Sequence, residues 1–202
     1  SGYVYLYSSN SGINIYKIQV DSSASSGSGS SSSGSSTTDT SNGTVVTSFS
    51  ELTAAVTKAE KAGGGIVYVK GSSISCTAQL ALKASNANVS IIGVKNSDGT
   101  YPVLDFSAFR SAYIGKATTD SEVGIRISGS NYTIKNLIIQ KAPDNGIQIK
   151  GSSAGNNTIE NCIVRYNNDA GVQITGGAYS NTMRFVYSYR NCDVYTLGGN
   201  AD

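Results

Sequence analysis

The chain has 202 residues, a formal net charge of +2, 23 glycines, 13 tyrosines, three cysteines, and neither histidine nor tryptophan. Without histidine, Ser-His-Asp and Cys-His catalysis, His-ligated zinc and imidazole acid–base chemistry are excluded within this chain. Charged residues make up only 14% against ~25% in a typical soluble domain, the net charge of +2 gives no electrostatic case for nucleic acid, and no apolar run approaches the ~18 residues of a membrane span. Cys76, Cys162 and Cys192 are odd in number and widely spaced, so they make neither a disulfide framework nor a CxxC metal site.

At the start, Tyr3, Tyr5 and Tyr7 alternate with Val4 and Leu6, and Ile13, Ile15 and Tyr16 follow a Ser/Asn/Gly turn. That alternation predicts a hairpin over residues 1–20. A lone hairpin is marginal in water, so it is expected to be the remnant of an upstream β module. From Ser22 to Ser36, eleven of fifteen residues are serine and three are glycine. Such a stretch buries no core, and residues 21–43 are expected to be a flexible linker. The chain is expected to be a piece of a longer, modular, extracellular protein, with residues 44–202 forming its structured part.

Ser48-x-x-Glu51 reads as a capping box, with Leu52, Ala55, Val56 and Ala59 at helical spacing behind it. Gly63-Gly64-Gly65 should end the helix, and Ile66-Val67-Tyr68-Val69 should be a strand. This helix would suit a lid over one end of a β core.

Beyond it the chain repeats. Gly124-Ile-Arg-Ile-Ser-Gly129, Gly146-Ile-Gln-Ile-Lys-Gly151 and Gly171-Val-Gln-Ile-Thr-Gly176 start 22 and 25 residues apart. Thr133-Ile134, Thr158-Ile159 and Thr182-Met183 follow in step, 25 and 24 apart. Two registers repeating together predict a solenoid, and short β-branched segments with no room for helices make it an all-β, single-stranded parallel β-helix. Ile125, Ile147 and Val172 then form one inward column, Ile127, Ile149 and Ile174 the next, and Leu137, Cys162 and Val186 a third. Cys162 is accordingly a small core residue. Asn136 and Asn161 fall at a bend, where asparagine tolerates left-handed backbone and stacks its amide.

Asp144, Asp169 and Asp193 lie 25 and 24 residues apart, one place on three successive coils. Asp144-Asn145-Gly146 looks like ordinary turn chemistry. Asp169 and Asp193, at a coil spacing of ~4.8 Å, would repel unless water or a cation lay between them, and oxygen ligands from neighbouring coils suit calcium.

Tyr101-Pro-Val-Leu-Asp-Phe-Ser107, Gly124-Ile-Arg-Ile-Ser-Gly-Ser-Asn-Tyr-Thr-Ile-Lys135, Ala142-Pro-Asp-Asn-Gly-Ile147, Asn168-Asp-Ala-Gly171 and Gly199-Asn-Ala-Asp202 resemble the family 9 polysaccharide lyases, from about Thr44 to the C-terminus. These are secreted bacterial pectate lyases with a right-handed parallel β-helix, here with an N-terminal capping α-helix. The resemblance implies calcium bound by Asp169, Asp193 and Asp202, and β-elimination on polygalacturonate (pectate), an acidic polysaccharide, by a monomeric extracellular enzyme. It departs at Val194-Tyr195-Thr196-Leu197, where the family often carries polar or acidic residues. The family's lysine base is expected beyond Asp202, since Lys135, Lys141, Lys150, Arg165, Arg184 and Arg190 match no such motif. Arg184 and Arg190 are candidates to meet substrate carboxylates. The segment alone is therefore expected to be inactive, and its open last coil to be marginal in stability or prone to aggregate. Other readings are a lyase of alginate or chondroitin type, or a non-catalytic β-helix adhesin.

Overall fold

The computed structural model describes residues 38–197. The expected hairpin over 1–20, most of the linker over 21–43, and Asp202 lie outside the described residues.

Fifteen short strands and two helices follow one another: β1 (Thr44–Val46), α1 (Phe49–Lys61), β2 (Gly65–Val69), β3 (Ser73–Ser75), β4 (Leu80–Leu82), β5 (Val89–Gly93), β6 (Val103–Asp105), α2 (Ser107–Ser111), β7 (Ile125–Ile127), β8 (Tyr132–Lys135), β9 (Ile138–Gln140), β10 (Ile147–Lys150), β11 (Thr158–Glu160), β12 (Ile163–Arg165), β13 (Val172–Thr175), β14 (Thr182–Arg184) and β15 (Tyr187–Tyr189). The strands form a six-stranded sheet ordered β1-β2-β5-β8-β11-β14, a five-stranded sheet ordered β15-β12-β9-β6-β3, and a four-stranded sheet ordered β13-β10-β7-β4. From β2 onward every third strand therefore lies on the same sheet, and all recorded pairings are parallel. The chain is the expected parallel β-helix.

The columns read from the repeats are the observed registers. Ile147 pairs with Ile125 and Val172, Ile149 with Ile127 and Ile174, and Ile159 with Ile134 and Met183. Ile125, Ile127, Ile134, Ile147, Ile149, Ile159 and Cys162 are fully buried. The stack opens toward the last described coil, where Ile174 is 43% exposed and Met183 46%.

The helix α1 packs on β1, β2 and β5, burying Leu52, Ala55 and Val56. Its cap is a variant of the expected box. Ser48 Oγ accepts from Glu51 N at 3.3 Å, but the Glu51 carboxylate accepts from Thr47 N at 2.8 Å, one residue earlier than the usual partner.

The corners carry columns of left-handed residues. Asn131, Asn156 and Ser180 precede the six-stranded sheet with φ 63°, 56° and 50°. Asn136, Asn161 and Phe185 (φ 58°, 50°, 54°) follow it, and Lys141, Tyr166 and Arg190 (φ 61°, 56°, 51°) follow the five-stranded sheet. At the second of these, Asn161 Nδ2 donates to Asn136 Oδ1 at 2.8 Å. Two further amide pairs bind successive coils, Asn157 to Asn181 at 3.0 Å and Asn167 to Asn191 at 2.9 Å. Buried main-chain donors of Tyr132 and Ala142 bond to these amides, which satisfies groups that no strand partner reaches.

Candidate functional site

The aspartate column lies at the corner between the five-stranded and four-stranded sheets. Residues 141–146 and 166–171 turn this corner tightly, whereas between β6 and β7 the chain makes a long excursion, 106–124, that includes α2. Asp144 is 7% exposed. Its carboxylate accepts from Thr118 Oγ1 at 2.6 Å, Asn145 N at 2.8 Å and Asn145 Nδ2 at 2.7 Å. It is consumed by turn chemistry, as its Asp-Asn-Gly setting suggested.

Asp169 N donates to Asp144 O at 3.3 Å, and Asp169 O accepts from Cys192 N at 3.0 Å. Asp193 N donates to Asn167 O at 3.1 Å, so both aspartates reach the same corner on successive coils. The Asp193 carboxylate faces Arg110 of α2 at 3.4 Å. That guanidinium also donates to Tyr166 O at 3.1 Å and lies 4.3 Å over the Tyr195 ring. The excursion is pinned to the same coil by Gly115 N to Tyr195 O at 2.9 Å and Leu197 N to Lys116 O at 2.8 Å. Thr196, 6% exposed, ties the far side through its Oγ1 to Pro143 O at 2.9 Å. The segment 194–197 thus serves as a docking strip for the excursion.

The candidate arginines lie on different faces. Arg184 sits on the six-stranded sheet in a charge ladder, with Glu160 2.6 Å from it and 2.9 Å from Lys135. Arg190 stands at the corner, donating to Tyr166 Oη at 3.0 Å with its guanidinium 5.9 Å from that ring. Arg165 bonds Gln140 at 2.9 Å and Tyr189 at 3.1 Å. Lys141 holds Asp105 at 3.0 Å. Burial alone would raise the Asp105 carboxyl, but bonds from Ser107, Gln140 and Lys141 outweigh it and bring it down to about 2.

On the outer face of the four-stranded sheet, Arg126, Gln148 and Gln173 are register partners. Gln148 accepts from Arg126 and donates to Gln173 Oε1 at 2.6 Å. Asp120 of the excursion lies on this ladder, 3.1 Å from Arg126 and 2.7 Å from Lys150.

Residues 33–202 match the family described as the Pel9A-like, right handed beta helix region. The chain belongs to this family. Its coil is accordingly right-handed, the hand that parallel crossovers almost always take. Pectate lyase L of Paenibacillus polymyxa (strain SC2) is 31% identical over 104 residues, which cover 50% of this chain and 21% of that protein. The crystal structure of pectate lyase Pel9A shares the fold at a TM-score of 0.53 and 24% identity, over 71% of this chain and 34% of that one. The chain thus spans about a fifth of the first relative and a third of the second.

For a family member of this kind the donor set at the aspartate corner can be compared with the needs of calcium, which takes about six to eight oxygen ligands. Asp169 and Asp193 supply hard carboxylate oxygens, and Asp202 lies outside the described residues. Among the described residues no three His, Cys, Asp or Glu side chains converge on a possible ion, and Asp193 is engaged by Arg110. Two carboxylates are donors of the right kind but fall short of the about six to eight oxygens that calcium takes.

Arg110, Asp120 and Arg126 are the site residues that sequence reasoning missed. Arg126 was legible in principle, because it and the two glutamines occupy the same polar position between the isoleucines or valine of each repeat. Arg110 and Asp120 lie in the excursion, which has no counterpart in other coils and hence no periodic signal.

Proposed function

We propose that the chain is part of a calcium-dependent pectate lyase, secreted and monomeric, that cleaves polygalacturonate by β-elimination. The observation that carries this reading is the arrival of Asp169 and Asp193 at one corner from successive coils, in a family whose named relatives are pectate lyases. In such a reaction a base removes the proton at C5 and the bond to the O4 leaving group breaks. The adjacent substrate carboxylate opposes this by its charge. Calcium held by Asp169, Asp193 and Asp202 would neutralise that carboxylate and favour the enolate-like species.

The chain's own residues frame the corner. Arg110 holds Asp193 and fixes the excursion beside it. Arg190 offers a guanidinium at the corner, while Arg184 is committed to Glu160 on another sheet, so Arg190 is the better of the two for a galacturonate carboxylate. Lys135, Lys141 and Lys150 each hold a carboxylate of the chain. No lysine of these three stands out as the base, in keeping with a base beyond residue 202 and an inactive segment.

The test is the absorbance of unsaturated product with polygalacturonate and calcium. Residues 1–202 should give none, and the chain extended through its following coils should give it with polygalacturonate but not with alginate or chondroitin. Product from residues 1–202 would overturn the assignment of the base. An extended chain inert toward every uronate polymer would overturn the lyase reading in favour of an adhesin.

A further inference from the structure

The outer face of the four-stranded sheet holds a carboxylate supplied by the chain itself. Asp120 Oδ2 lies 2.7 Å from Lys150 Nζ and 3.1 Å from Arg126, and Asp120 Oδ1 accepts from Gln148 Nε2 at 3.1 Å. These donors come from β7 and β10, on adjacent coils. Arg126 and Gln148 are register partners, and Lys150 is two residues along on the same face. Two cations and an amide therefore converge on both oxygens of one carboxylate, the arrangement in which charge-assisted bonds are strongest.

The six-stranded sheet is built differently. There Lys135, Glu160 and Arg184 alternate in sign from strand to strand, so the strands themselves supply the counter-charge. On the four-stranded sheet the strands contribute only cations and amides to this patch, and the counter-charge arrives on the excursion. Asp120 and Lys150 form the open rim of the patch, with side chains 44% and 38% exposed, whereas the Arg126 side chain (17%) and Gln148 (3%) lie largely buried beneath. Arg126 Nε is buried without a hydrogen-bond partner among the described residues, so the guanidinium is not saturated even with Asp120 beside it. The excursion does not depend on this carboxylate for its course. Gln79 Nε2 donates to the main-chain oxygens of Asp120 at 2.8 Å and Val123 at 3.3 Å, and Glu122 bonds back to Thr119 at 2.6 Å.

We infer that Arg126, Gln148 and Lys150 form a binding subsite for the carboxylate of an acidic sugar, and that Asp120 is a tethered stand-in that occupies it until a polysaccharide displaces it. The inference rests on the acidic-polysaccharide reading above and adds a second point of contact, independent of the aspartate corner. Burial would raise the Asp120 carboxyl, but the bonds from Lys150, Gln148 and Arg126 outweigh it and bring it to about 2. The stand-in is therefore charged, and competes, at any neutral or mildly acidic pH.

Fluorescently labelled hexagalacturonate, titrated against the 202-residue chain in chelator, isolates this subsite from any metal. D120N and D120S should bind roughly tenfold tighter, the gain expected when an internal competitor filling the site about nine-tenths of the time is removed. D120E, which keeps the charge, should bind like the unaltered chain, and D120N/R126Q should lose the gain. Oligomannuronate and a neutral galactan oligomer serve as further probes. A gain confined to oligomannuronate upholds the subsite and overturns the pectate reading. Unchanged affinity in D120N and D120S, while the unaltered chain binds hexagalacturonate, overturns the subsite and leaves the pectate reading standing. An equal gain for the neutral oligomer, an equal gain in D120E, or no binding by any variant also overturns it.

Discussion

Arg110 and Asp193 stand 83 positions apart in sequence and 3.4 Å apart in space. The pair joins the excursion after β6 to the last described coil and places a guanidinium against a carboxylate proposed to bind calcium. Two roles compete at Asp193, and a single substitution separates them. R110Q should lower stability by about 1–3 kcal/mol, because the partly buried carboxylate loses its partner and Tyr195 loses its cation. The same variant should bind calcium more tightly than the unaltered chain. Urea denaturation and calorimetric titration read the two effects, and a loss of stability without a gain in calcium affinity would remove Asp193 from the ligand set.

The asparagine pair at the second corner gives a sharper test of the fold. Asn161 has φ 50°, donates to Asn136 at 2.8 Å and to Tyr101 Oη at 2.9 Å. N161A should cost about 2–4 kcal/mol, combining lost bonds with a left-handed backbone that alanine resists. N161G should cost less, since glycine accepts that conformation. Equal losses in the two variants would show that the backbone contributes nothing.

Acid should weaken the protein in a defined window. A depressed carboxyl contributes stability that is present above its ordinary value and lost as pH falls through its folded one. For Asp105 that interval runs from 3.8 down to about 2. The melting temperature should hold from about pH 7 to pH 5 and fall between about pH 4 and pH 2. D105N should flatten that fall while costing about 1 kcal/mol at neutral pH, after allowance for solvent screening. An unchanged acid limb in D105N would contradict the assignment.

Thiol chemistry should report the packing directly. Burial pushes the Cys76 thiol up to about 12 and the Cys162 thiol up to about 11, whereas Cys192 is exposed. Alkylation of the native chain at pH 8 should add one group, at Cys192, and unfolding should admit three. Early modification of Cys162 would contradict its place in the column with Leu137 and Val186.

The repeats made the coils legible because each strand alternates in step with its neighbours, and Ile125, Ile147 and Val172 fell in register as their spacing required. The Asn136–Asn161 stack was legible for the same reason, since an asparagine recurring at one coil's distance fits a bend. The third corner was not, because Lys141, Tyr166 and Arg190 adopt a left-handed backbone that their residue types rarely take. Asp169 and Asp193 could be assigned to one corner from spacing alone. What faces Asp193 could not, because Arg110 comes from an excursion that occurs once and obeys no period.

The proposed function stands or falls on calcium at the aspartate corner. Calorimetric titration of the 202-residue chain with calcium, repeated on D169N and D202N, tests it most directly. The unaltered protein should take up one saturable ion per chain, with affinity at least tenfold weaker in each variant, the loss of about 1.4 kcal/mol or more expected when a charged ligand is removed. Absence of binding by the unaltered chain, or equal binding by both variants, would contradict it.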